Sequence, residues 1–196
     1  MVRPSARWLP IAMLATLLVS ACTTTTRAPS GIEDPKPVVS DPLSRARVHT
    51  ELAALYYQQG SMKTALDELR SAVKIDPAYA PAYSMYGLVY MQLGETAQAQ
   101  SSFQKAISLA PSDPDIRNNY GLFLCDNGQY QAGLGELEKA WSNPLYETPG
   151  RALLNASGCA DRLGESALAQ SYAQRAARYG VTNTSVAPSR RNLQSQ

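Results

Sequence analysis

Histidine is almost missing from this chain: His49 stands alone among 196 residues, alongside three cysteines, two phenylalanines and two tryptophans. A lone imidazole with no Cys-x-x-Cys pair supplies too few ligands for a zinc site. No histidine partners a nucleophile, and neither a Gly-x-x-x-x-Gly-Lys phosphate loop nor a Gly-x-Ser-x-Gly elbow occurs, so hydrolase and nucleotide-binding chemistry lack their usual residues. We therefore expect no enzyme, no cofactor and no small-molecule substrate. Charge of one sign is lacking too. The chain carries 18 basic and 16 acidic residues, and without Arg3 and Arg7 of the N-terminal segment the two are equal at 16. A neutral protein has no basic footprint for nucleic acid. Long apolar runs are also absent. The stretch from Leu9 to Ala21 is broken by Pro10, and the 11 residues from Ile11 make a helix of roughly 16 Å against roughly 30 Å of bilayer hydrocarbon.

That stretch reads instead as an export signal over residues 1–21, with Arg3 and Arg7 as the positive start and the apolar run behind them. It ends in Val19-Ser20-Ala21-Cys22, which resembles the lipobox of bacterial lipoproteins. The resemblance implies acylation of Cys22, an anchor on a membrane face without a spanning helix. Thr23 in place of aspartate implies sorting to the outer membrane, on the periplasmic face. Residues 22–44 hold four consecutive threonines and prolines at 29, 35, 37 and 42. We expect a disordered tether there, because the stretch has too little apolar surface to bury. Residues 181–196 are polar, and we expect a disordered tail.

Between these ends the sequence repeats. Gly60, Gly94, Gly128 and Gly164 stand at intervals of 34, 34 and 36 residues. Ala65, Ala99, Gly133 and Ala169 follow them in register, then Leu69, Phe103, Leu137 and Ala173, then Ala72, Ala106, Ala140 and Ala176, with Pro77 and Pro111 closing the first two units. The pattern resembles the tetratricopeptide repeat, which implies an all-α solenoid of about four helix-turn-helix units. The expected array runs over 45–180, in units of about 46–79, 80–113, 114–149 and 150–180. Small residues let the two helices of a unit approach, large ones fill the gap, and glycine makes the turn. Stacked units bury the faces that no unit buries alone and leave a concave wall of first helices.

Such a wall binds other polypeptides. In the repeat family, fixed positions face the concavity, and these map onto Arg47, Thr50, Tyr57 and Gln58, then Ser84, Leu88, Met91 and Gln92. Units three and four add Asp115, Asn118, Asn119, Leu122 and Asp126, then Arg151, Asn155, Asp161 and Arg162. Asn119 and Asn155 share a column and offer paired donors and acceptors to an extended backbone; Leu88, Met91 and Leu122 would hold apolar side chains beside it. His49 is expected to be structural. The acidic residues Asp67, Glu68, Asp113, Asp115, Glu136 and Glu138 are expected to be solvated or to cap helices. With Cys22 assigned to lipid, Cys125 and Cys159 remain, 34 residues apart on neighbouring first helices. We expect a disulfide between them; two buried packing thiols are the alternative.

A more particular string runs through units three and four: Asn118-Asn119-Tyr120-Gly121-Leu122-Phe123-Leu124-Cys125, then Asn143-Pro144-Leu145-Tyr146-Glu147-Thr148-Pro149, then Asn155 and Cys159. It resembles the PilF/PilW family of type IV pilus biogenesis lipoproteins, in which the turn after the third unit is lengthened, as the 36-residue interval is here. The resemblance implies a pilotin: an outer-membrane adaptor whose protein partner is the pilus secretin, which it helps to localise and multimerise. Longer members carry about six repeats. Another envelope scaffold of the same architecture, for peptidoglycan hydrolases or outer-membrane assembly, is the alternative.

Overall fold

The structure is a computed structural model and describes residues 41–182. All of these fall within one of the chain's two compact units, that of 39–196. Cys22 and the export signal lie outside the described residues. Within them the chain forms eight helices: α1 (Pro42–Gln58), α2 (Met62–Ile75), α3 (Ala80–Leu93), α4 (Thr96–Leu109), α5 (Pro114–Asp126), α6 (Tyr130–Trp141), α7 (Pro149–Leu163) and α8 (Ser166–Ala177).

Local chemistry sets these boundaries. Gly94 and Gly164 end α3 and α7 at φ 78° and 89°, a left-handed conformation that costs a side-chain-bearing residue about 1 kcal/mol and glycine nothing. Prolines occupy the first turns of α1, α3, α5 and α7, where the missing N–H has no partner to lose. The Asp113 carboxylate accepts from the Ile116 amide at 3.0 Å. Asp41 does the same for Ser44 at 2.9 Å. That cap starts α1 at Pro42, so residues 42–44 belong to the fold and not to the expected tether. The expected tail also starts too early. Val181 packs against the cluster of Leu153, Leu154 and Ala176, and its amide bonds the Ala176 carbonyl.

Each odd-numbered helix packs on the even-numbered helix that follows it, and α1, α3, α5 and α7 stack on one another in turn. Leu69, Phe103 and Leu137 fill the gap between the paired helices and are fully buried. Their neighbours are cut to fit. A Cβ on Gly87 would lie 2.6 Å from the Phe103 ring, and that ring meets Tyr120 and Phe123 at centroid distances of 5.9 and 5.3 Å. Burying such side chains contributes about 1.5–3 kcal/mol each. Most of the array's stability therefore sits between helices, as in any solenoid.

Candidate functional site

The first helices of units one to three enclose a cavity of about 300 Å³ on their shared face. Helix α1 contributes Thr50, Glu51 and Ala54, α3 contributes Pro81, Ser84, Met85 and Leu88, and the start of α5 contributes Asp113, Asp115, Ile116 and Asn119, with Tyr79 at one end. Of the groove residues expected from sequence, this cavity gathers Ser84, Leu88 and Asn119, together with Thr50 and Asp115. Tyr57, Gln58, Met91 and Gln92 sit further along α1 and α3; Gln58 is exposed and the other three are half-buried. Leu122 is half-buried on α5, and Asn155 and Arg162 lie on α7, outside the cavity.

Asn118 is a correction. It is 1% exposed, so it does not present itself to a partner. Its column holds Thr50, Ser84, Asn118 and Leu154, all buried; Thr50 and Ser84 still border the cavity, whereas Asn118 does not. The Asn118 amide donates to the Asn119 carbonyl oxygen at 3.2 Å, Asn119 donates to the Ser84 hydroxyl at 3.2 Å, and Asn155 donates to the Asn118 carbonyl oxygen at 2.9 Å. A polar chain thus links α3, α5 and α7. Buried amides need partners, and here they find one another across repeats. Asn119 and Asn155 thus each spend part of their hydrogen-bonding capacity on neighbouring repeats.

Several carboxylates are also less solvated than expected. Glu136 retains 16% side-chain exposure, bonded to Arg117 and, at 2.6 Å, to Lys139. Glu68 meets His49 at 2.7 Å, which gives the only histidine a structural role. The two contacts occupy the same place in units one and three, 19 residues apart in each. Asp126 on α5 pairs with Arg162 on α7. Burial pushes the Asp115 carboxyl above its ordinary value; Arg151 opposes the shift, while Asp113 and Glu147 add to it. Asp113 caps α5 as expected.

Cys125 on α5 and Cys159 on α7 form a disulfide with Cα atoms 5.4 Å apart, both cysteines 1% exposed. Room for it comes from Gly133 on α6, where a Cβ would lie 2.4 Å from the Cys125 sulfur. The other units have alanine in that column.

As lining residues, sequence reasoning missed Glu51, Ala54, Tyr79, Pro81, Met85, Asp113 and Ile116. A signal existed for two of them: Glu51 and Met85 occupy, in units one and two, the column of Asn119 and Asn155. What the cavity offers is an apolar floor, amides, hydroxyls and carboxylates. Among the described residues no group of three or more His, Cys, Asp or Glu is placed to hold a metal, and no helix is long and apolar enough to cross a membrane.

Family models for the TPR repeat match residues 53–94, and models for the tetratricopeptide repeat match 80–113 and 102–135. No curated protein sequence gives a significant match. Among solved structures, PilW, described as a widely conserved type IV pilus biogenesis factor, is 31% identical with a TM-score of 0.65, over 69% of this chain and 62% of its own. PilF of Pseudomonas aeruginosa is 26% identical with a TM-score of 0.66, over 70% of this chain and 62% of its own. MamA, at 24% identity and a TM-score of 0.54 over 68% of this chain and 77% of its own, shares the fold. The chain thus spans less than two thirds of PilW and of PilF. It is a tetratricopeptide-repeat protein, built like PilW and PilF over the part that it shares with them.

Proposed function

We propose that this chain is a pilotin: an outer-membrane lipoprotein adaptor for type IV pilus biogenesis that captures the pilus secretin on its first-helix face and helps it to localise and multimerise. The observation that carries the reading is the 31% identity to PilW over 69% of the chain. Two features support it. Asn118 and Asn155 supply the polar link, and Cys125 and Cys159 the disulfide, that join units three and four, so residues of the string that resembles the pilus family also tie these units together. Cys22, at the end of a lipobox-like sequence, would tether the array to the envelope, where tethering multiplies the effective concentration of a captured subunit without any new contact. Capture of this kind needs no catalytic group, and the adaptor acts through location.

Deleting the gene and assaying heat-resistant secretin multimers in outer-membrane fractions tests the reading. Loss of multimers, restored by the wild-type gene and not by Cys22→Ser, is the expected result. Unchanged multimers together with intact pili would remove it.

A further inference from the structure

The cavity on the first-helix face has a charge pattern that the repeat fold does not require. Its floor is apolar, built from Ala54, Met85 and Leu88, and its ionisable lining is of one sign: Glu51 from α1, Asp113 and Asp115 from the start of α5. Arg47, which acts on Tyr79, and Arg151, which acts on Asp115, do not line it. Asp113 is committed to capping α5. Glu51 and Asp115 cap nothing and form none of the ion pairs found elsewhere in the array.

From this we infer that the cavity receives a polypeptide segment in which an apolar side chain stands next to a lysine or arginine, the apolar group on the floor and the cation between Glu51 and Asp115. This rests on the pilotin reading and names the chemistry of the segment it would take. Two further observations fit. Partial burial raises the Asp115 carboxyl above its ordinary value, yet the residue stays exposed, so it is open to an incoming cation that would favour its charged form. A volume of about 300 Å³ lies at the lower end of the range for ligand pockets, the size of one or two side chains and not of a folded domain.

The test uses the full chain in detergent micelles and two probes: overlapping 15-residue peptides covering the secretin of the same cell, and a designed peptide that alternates leucine and lysine. The inference predicts that the secretin peptides that bind contain an apolar residue beside a lysine or arginine, and that changing that residue to alanine weakens binding about tenfold. The variant combining Glu51→Gln with Asp115→Asn should weaken both probes similarly and flatten the salt dependence, with its circular dichroism unchanged. Glu51→Lys should be rescued by a peptide with glutamate in place of its lysine. Binding of a secretin peptide that ignores the two carboxylates overturns the inference and leaves the pilotin reading standing. Carboxylate-dependent binding of the leucine–lysine peptide alone supports the inference and counts against the secretin as partner. Binding of neither probe, or self-association of the chain that the double variant abolishes, overturns it.

Discussion

Single residues in this array carry several tasks that composition hides. Asn118 has the burial of a core residue and the bonding of a lattice point: it holds Asn119 on one side and Asn155 on the other. Asn118→Ala leaves two amides short of a partner and opens a small void, and we expect a loss of about 1–3 kcal/mol in urea unfolding. Replacing Asn119 and Asn155 together with alanine should also lower stability, because both lie in the same chain of bonds; a comparable change at Gln92 should not. Gly133→Ala is expected to destabilise the oxidised protein by about 1–3 kcal/mol, since its Cβ would meet the Cys125 sulfur. The same change should cost less in a Cys125→Ala, Cys159→Ala background, and calorimetry on the four proteins measures the coupling. Asp115 gives a pH dependence. Its folded pKa is raised by burial above 3.8, so its ionised form opposes folding at neutral pH, and that penalty disappears as pH falls below the unfolded value. Because Asp115 stays exposed, solvent screens most of this penalty, and Asp115→Asn should melt only slightly higher than wild type near neutral pH, with the advantage vanishing below about pH 3.8. The repeat columns made most of these positions legible in sequence. They did not separate the column of Asn118 from that of Asn119, because neighbouring positions on a helix differ by about 100°, and only packing decides which of two adjacent amides faces inward.

At the scale of helices, pairing was legible because it follows from spacing: glycine at the turn, small residues where helices approach, proline at the next start. The ends were less legible, since they depend on single caps. Asp41 starts α1 three residues before the sequence pattern does, and Val181 still packs after α8 has ended. Carboxylates were misread for a related reason. Glu68 and Glu136 look solvated on the pattern of their own helices, yet each meets a nitrogen-bearing side chain from the preceding first helix, His49 or Arg117. The strongest join between elements is the disulfide between α5 and α7, which closes a loop of 34 residues. In the chain-entropy model a loop of this length contributes roughly 3–4 kcal/mol. Reduction should lower the urea midpoint accordingly, and denatured, unreduced protein lacking its first 22 residues should show essentially no free thiol by Ellman titration.

Across the described residues, the stacked first helices present one continuous face, and the account places function there: a cavity with an apolar floor and an acidic rim, which the proposed acylation of Cys22 would hold to the envelope. The second helices of each unit cover the opposite side, where residues such as Gln104 are exposed. The two faces make opposite predictions about contact with the secretin. A photo-crosslinking amino acid placed at Leu88, in the cavity, or at Gln104, on the far side, can be activated in cells that assemble the pilus. The account predicts a secretin adduct from Leu88 and none from Gln104. No adduct at Leu88, or equal adducts from both positions, would contradict it.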